Sequence, residues 1–421
     1  MAEEGTTVRI IDVDAHLHEP LDWVERTDPG LAEELRPPAR FMDIAGSVFG
    51  FDDPSFTSLP EAQQPRSRFD LVPPGFVHHL ELTDTLQPDD HTTSTDDPFY
   101  GPEARLEFCD QRGIDVQFLN PTFLVGPFVQ AARAGRLDLM PRIRRAWNQW
   151  SSDLVAGHTD RLIPVTQIDL NDLDWSIAEM TRMRAAGSRA FVIPEAPVGA
   201  GRRDESGKRV LARSITHPDF EPLWDAAEDL EMAAFAHVGF ARERINPGWA
   251  NNGGKDLNTF SLLNMLVASQ IGPQLLVGAL VYDGVLERHP KLTVVIEEVG
   301  IDWLPHLLTA MDLSIGRTAP ELRDDEFRPS HLVEGASYKL PLAPVEYVRR
   351  QVRVTPLPAT HPMSGVIPHI PPEILCFSSD YPHVEGSASA VELCERQLAS
   401  AGVGDDVKAS FFGGIADRLG V

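Results

Sequence analysis

Beyond about residue 103, short unbroken apolar runs alternate along this chain with longer stretches in which apolar positions recur every three or four residues. Short runs bounded by turn signals read as strands buried on both faces, and the longer period reads as helices buried on one side. Val8, Ile10 and Ile11 begin a first strand. A helix ending near Gly113 precedes a strand at 116–119, and a helix at 137–155 precedes a strand at 162–167. The rhythm continues with a helix at 173–186, a strand at 190–193, a helix at 220–230 and a strand at 232–236. Helices within 257–286, a strand at 292–297, a helix at 303–313, a weaker strand at 351–354, a strand at 374–377 and a helix at 387–401 complete it. Strands in such alternation pair in parallel under helical covers. With the first strand, the eight candidates predict an α/β fold, a distorted (β/α)8 TIM barrel with a long early insertion, ahead of an open doubly wound sheet.

That insertion covers 19–102, where Pro, Asp, Ser and Thr are frequent and no helical period is sustained. A stretch of this length inside a barrel is a disordered segment or an active-site cover. The run SLPEAQQPRSRFDLVPPG keeps aromatic and basic residues among its prolines, which favours an ordered cover, within one domain spanning 1–421.

Composition narrows the class. A chain of 421 residues, 42% of them hydrophobic, has enough material for a barrel core. Its 37 basic and 63 acidic residues give a formal charge of -26, which opposes approach to nucleic acid or an anionic membrane surface. Cys109, Cys376 and Cys394 are too few and too scattered for a disulfide framework and read as core thiols. The start MAEEGTTVRI lacks the order of a signal peptide, and no apolar run is long enough to span a bilayer. The expectation is a soluble cytoplasmic protein acting on a small molecule.

Candidate chemistry collects where the strands end. After the first strand, IIDVDAHLHEP places Asp14, His16 and His18 at the period of two that puts alternate residues on one face. His237 ends the strand in EMAAFAHVGF, and Glu297 and Glu298 end the strand in LTVVIEEVGIDW. Alternation sends those two carboxylates to different sides; Glu298, beyond the apolar stem, is the one assigned to the pocket. In PPEILCFSSDYPHVEGS, Asp380 stands at the mouth of the last strand, with Tyr381 and His383 at the rim. Carboxylates and imidazoles at the carboxyl ends of separate barrel strands share one top pocket and suit a divalent metal: zinc first, with manganese or iron as alternatives.

The ordered set DVDAHLHEP, MAAFAHVGF, HPKLTVVIEEVGIDWLPHLL and ILCFSSDYPHVEG resembles the amidohydrolase-related family that includes aminocarboxymuconate-semialdehyde and resorcylate decarboxylases. The resemblance implies a metal-centred barrel of eight strands. It carries the first-strand ligands onto His16 and His18 or onto Asp14 and His16, the fifth-strand histidine onto His237 and the last-strand aspartate onto Asp380. There are two departures. Relatives carry a histidine as proton donor after the sixth strand, where this chain has Glu298, and many carry asparagine where it has Ile415.

Three functions follow as expectations. The first is non-oxidative decarboxylation of a small aromatic or unsaturated carboxylic acid, with Asp380, Glu298 and His237 as catalytic groups and Asp380 and Glu298 exchanging protons. Phe240, Trp249 and Tyr381 would wall the substrate, His383 would orient it, and Arg242 or Arg244 would counter its carboxylate. The second is metal-assisted hydrolysis of a carbon-carbon, amide or ester-like bond. The third is a metal-stabilised binding or assembly protein without turnover, and exposed apolar helix surface would also support a homodimer.

Overall fold

Parallel pairing needs a crossover between successive strands, and the helical stretches supply it. The computed structural model describes residues 8–20, 22–35, 101–194, 196–197, 213–238, 271–317, 340–357, 363–383 and 386–421. Within them the strands are β1 (Ile11–Leu17), β2 (Val116–Pro121), β3 (Leu162–Pro164), β4 (Ala190–Ile193), β5 (Ala233–His237), β6 (Val294–Glu297) and β7 (Val352–Val354). Each pairs in parallel with its neighbours in sequence, in the orders β1-β2-β3 and β4-β5-β6-β7.

Backbone hydrogen bonds close these two sheets into one barrel. Thr166 N donates to Ala190 O and Val192 N to Thr166 O, both at 2.9 Å, joining the chain beyond β3 to β4. An eighth extended segment, 375–380, lies between β7 and β1. Cys376 N donates to Val354 O at 3.2 Å on one side, and on the other Val13 N donates to Phe377 O at 3.2 Å and Asp380 N to Asp14 O at 2.8 Å.

Local chemistry explains where the elements stop. Helix Pro102–Arg112 opens with proline in its first turn and ends at Gly113, whose φ of 70° is a left-handed cap. Helix Leu173–Ala185 is capped by Asp172, which accepts from Trp175 N, and carries Arg182 and Arg184 in its last turn. The helix expected at 137–155 is split into a 3-10 turn, Leu137–Leu139, and an α-helix, Met140–Leu154, with Pro141 at the junction. The strand expected at 162–167 is regular only as far as Pro164, but its pairing runs on: Val165 N donates to Leu119 O of β2 at 3.1 Å, and pairing with β4 begins at Thr166. Within the early insertion two helices, Trp23–Thr27 and Pro29–Glu34, form where no helical period was read. Asp28 caps the second by accepting from Leu31 N, and Arg142 clamps the same carboxylate. Residues 21 and 36–100 of that insertion lie outside the described residues.

Alternate strand residues fill the barrel. Ile11, Val13, Val116, Phe118, Ile163, Val165, Phe235 and Val295 form the interior cluster, joined by Ile415 and Leu419 from the carboxyl-terminal segment. Ile415, one of the two departures noted above, is therefore a core residue. The opposite strand faces, among them Leu119, Phe191, Ile193, Val294 and Ile296, pack in the larger cluster with the helices. Phe118 stacks obliquely on Phe235 at 5.4 Å in the interior. Phe118→Ala should lower stability by about 3–5 kcal/mol through lost burial and the cavity left behind, read as a shift in urea midpoint. No helix among the described residues is long and apolar enough to cross a membrane.

Candidate metal centre

Three backbone irregularities aim side chains into the barrel mouth. In β1 the register slips by one residue between Asp12 and Ala15, a bulge. Before it Ile11 and Val13 face the interior, and after it Ala15 and Leu17 face the helices. Asp14 and His16 are thereby turned into the pocket. In β5, Phe235 is interior, so alternation carries His237 inward at the strand end; in β6, Val295 does the same for Glu297. The other two irregularities are left-handed residues, Glu298 at φ 58° and Asp380 at φ 50°. Such conformations cost about 1–3 kcal/mol outside glycine and concentrate at functional sites.

Glu298 turns back over the pocket, so that both Glu297 and Glu298 face it. The sequence reading, in which strict alternation separates the two carboxylates, is corrected by that turn.

The side chains converge closely. His16 Nε2 lies 3.1 Å from His237 Nε2, 3.3 Å from Asp14 Oδ1 and 3.4 Å from Asp380 Oδ1. His237 Nε2 is 3.0 Å from Glu298 Oε2 and 3.6 Å from Asp14 Oδ1. Nδ1 of His16 faces the carbonyl of Pro121 at 3.1 Å, and Nδ1 of His237 faces that of Val238 at 2.7 Å. A carbonyl only accepts, so both rings carry a proton on Nδ1 and turn Nε2 toward one point. The two Nε2 atoms, 3.1 Å apart with carboxylates around them, can share either a proton on His237 or a metal ion in its place.

Around this point Asn120 Nδ2 donates to Asp14 Oδ1 at 3.0 Å and approaches Glu297 Oε2 at 3.4 Å. His383 stacks on His16 with ring centroids 3.6 Å apart; its Nδ1 is 3.0 Å from Asp380 Oδ1 and its Nε2 is 3.2 Å from Thr122 Oγ1. Asp14 Oδ2 and Glu297 Oε1 have no hydrogen-bond partner among the described residues.

Electrostatics follow from the geometry. Burial pushes the His16 imidazole below its usual range. Burial acts the same way on His237, but Asp14 and Glu298 outweigh it and raise the ring to about 9. Burial would raise Asp14, yet the His237 and His16 imidazoles hold it below the usual carboxylate range. Glu297, buried beside Asp14, is held well above that range, first by burial and then by the neighbouring charge.

Asp14, His16, His237 and Glu298 form one group of donors within reach of a common ion, and His16, Glu298, Asp380 and His383 form an overlapping one. Carboxylate and imidazole donors of this kind fit a divalent cation. The second nitrogen of each converging histidine is already held by a backbone carbonyl, as in metal-bound imidazoles generally.

Of the residues singled out in the sequence, Asp14, His16, His237, Glu298, Asp380 and His383 meet here. His18 follows the end of β1, enters neither donor group, and sets its ring 5.2 Å from that of Phe123. Tyr381 is buried, its ring stacked on Phe108 at 4.5 Å beneath helix Pro102–Arg112. Phe240, Arg242, Arg244 and Trp249 lie outside the described residues. Asn120 and Glu297 were not singled out for the pocket; the signal that finds them is polarity at an inward position of a strand end.

The description of one protein family, amidohydrolase, matches residues 11–419. The chain belongs to that family. Among solved structures, an amidohydrolase of Mycobacterium avium subsp. paratuberculosis is 19% identical with a TM-score of 0.65, over 98% of this chain and 99% of that one. A 5-carboxyvanillate decarboxylase of Novosphingobium aromaticivorans, in complex with manganese and 4-hydroxy-3-methoxy-5-nitrobenzoic acid, is 17% identical with a TM-score of 0.56, over 100% and 98%. These likenesses are of fold. A stretch of 216 residues, 50% of this chain, is 26% identical to an iron-sulfur cluster assembly SufBD family protein of Mycobacterium tuberculosis and spans only 24% of that protein's length.

Proposed function

We propose that this amidohydrolase-family protein is a metal-dependent enzyme that removes carbon dioxide, without oxidation, from a small aromatic or unsaturated carboxylic acid. The observation that carries the reading is the approach of two imidazole Nε2 atoms to 3.1 Å at the barrel mouth, with carboxylates of β1, β6 and the eighth segment around them. Asp14, His16, His237 and Asp380 would hold the ion, with Glu298 in reach of it. A set this rich in oxygen favours manganese over the zinc expected from the sequence, and the decarboxylase named above binds manganese. When bound, the cation would polarise a substrate oxygen and draw in the negative charge that develops as carbon dioxide departs.

The protein groups do the rest. Pro121 O and Val238 O fix both rings so that Nε2 faces the pocket. Asn120 orients Asp14 through Oδ1, and His383 orients Asp380 through Nδ1. The carbon that loses carbon dioxide must gain a proton, and Glu298 Oε2, at the pocket centre, would take that proton from a substrate hydroxyl or from solvent and pass it to the carbon. Glu298→Gln keeps the volume and removes that proton, so the chemical step should slow by about 10²–10⁴-fold in single-turnover experiments. An unchanged chemical step with manganese retained would remove Glu298 from this role.

The test of function is product analysis with manganese-loaded protein over a panel of hydroxylated aromatic acids and of amides and esters. Release of carbon dioxide with the rest of the skeleton intact supports the proposal. Cleavage into two organic products with uptake of water favours the hydrolase reading, and absence of any turnover favours a binding protein.

A further inference from the structure

We propose that Asp12 and Ser379, one layer below the metal centre, are positioning residues that aim the Asp380 carboxylate into it; this rests on the reading of Asp380 as a metal ligand. Asp12 precedes the β1 bulge, so it points out of the barrel while Asp14 points in. It is fully buried and touches the three strands that meet there. Its Oδ1 accepts from Ser379 N at 2.8 Å, and its Oδ2 accepts from Ser379 Oγ at 2.6 Å and from Gln117 Nε2 at 2.8 Å. Arg105, also buried, extends the chain of contacts: NH1 reaches Gln117 Oε1 at 3.5 Å and NH2 donates to His16 O at 2.5 Å.

Every branch of this network ends beside a residue assigned to the metal. Ser379 precedes Asp380, and Ser379 Oγ accepts from Tyr381 N at 3.1 Å, so one hydroxyl ties Asp12 to both flanks of Asp380. The Asp380 backbone itself donates to Asp14 O, and His16 N donates to Tyr381 O at 2.8 Å. Between these fixed points Asp380 is left-handed at φ 50°, a conformation that aspartate tolerates better than most residues and that these hydrogen bonds hold in place. Gly386 closes the other side, where any side chain would run into the Asp380 carbonyl.

A seam between two strands needs only its ladder and apolar cover. A buried carboxylate and a buried guanidinium are costly additions to it. Their partners are the ligand-bearing segments, which is the arrangement expected of outer groups that orient metal ligands; loss of such groups weakens metal binding by roughly 10–100-fold.

The test compares manganese(II) binding, read by electron paramagnetic resonance, with the thermal midpoint of the metal-free protein. Ser379→Ala should weaken manganese binding by about 10–100-fold while leaving that midpoint near the parent value, and Ser379→Thr should restore affinity. Should Ser379→Ala not fold, Asp12→Asn, which keeps the shape and one acceptor, carries the same expectation. Asp380→Asn is the reference. If it loses manganese while Ser379→Ala binds like the parent, the positioning role is overturned and the metal reading stands. If both bind like the parent, the metal reading falls as well. A lower midpoint without rescue by threonine would reduce the network to a structural staple.

Discussion

His237→Ala is expected to leave the protein folded, without retained manganese and without turnover. The imidazole supplies one of the two Nε2 atoms that meet at 3.1 Å, and it is the bridge between Asp14 and Glu298. Without it the ion loses a neutral nitrogen donor, and the carboxylates that remain lose the group that separated their charges. The loss should exceed the roughly 10–100-fold that follows removal of an outer-shell partner. Metal content after desalting and circular dichroism check it together. Stoichiometric manganese in a folded variant would remove His237 from the site.

The second large effect is on pH. The His237 imidazole is raised from 6.5 to about 9 in the folded protein. A group raised in this way stabilises the folded state fully below its unfolded value near 6.5, and that contribution is lost as pH rises through about 9. For a shift of this size in a buried group the loss is about 3 kcal/mol. Asp12 and Glu19, each raised to about 7 chiefly by burial, act with the same sign: their contribution is present below 3.8 and 4.5 and lost as pH rises through 7.

A cation at the centre needs unprotonated Nε2 atoms, so it competes with the proton on His237. Binding should release about one proton, and the apparent affinity for manganese should rise nearly tenfold per pH unit from 6 to 8. The increment in thermal midpoint given by manganese should therefore widen over the same range. Scanning calorimetry with and without manganese at pH 6, 7 and 8 measures it, and an increment independent of pH would reject proton competition at this site.

The strand stems of the barrel were legible because parallel strands buried on both faces leave unbroken apolar runs. The pairs Val116 with Phe118 and Val192 with Ala190 could be read directly, and His237 and Asp380 stood out as polar residues where such runs ended. What could not be read were departures from ideal geometry. The β1 bulge reverses which alternate residues face inward, so a period-of-two count over Asp14, His16 and His18 could not tell which would reach the pocket.

The left-handed turn at Glu298 keeps that expected side chain in the pocket together with Glu297, where alternation would admit only one of the two. Partners such as Asn120 for Asp14, or Ser379 for Asp12, join positions more than a hundred residues apart, and no local pattern records them. The eighth strand was expected at 374–377; a 3-10 turn, Pro372–Ile374, runs into it and the extended chain begins at Leu375.

A divalent ion is proposed to sit among Asp14, His16, His237, Glu298 and Asp380. The most direct test of that placement is an anomalous difference map from crystals of the manganese-loaded protein, collected on both sides of the manganese absorption edge. A peak within bonding distance of His16 Nε2 and His237 Nε2 is the expected result. A fully loaded crystal with its manganese elsewhere, and no peak between those two nitrogens, would contradict it.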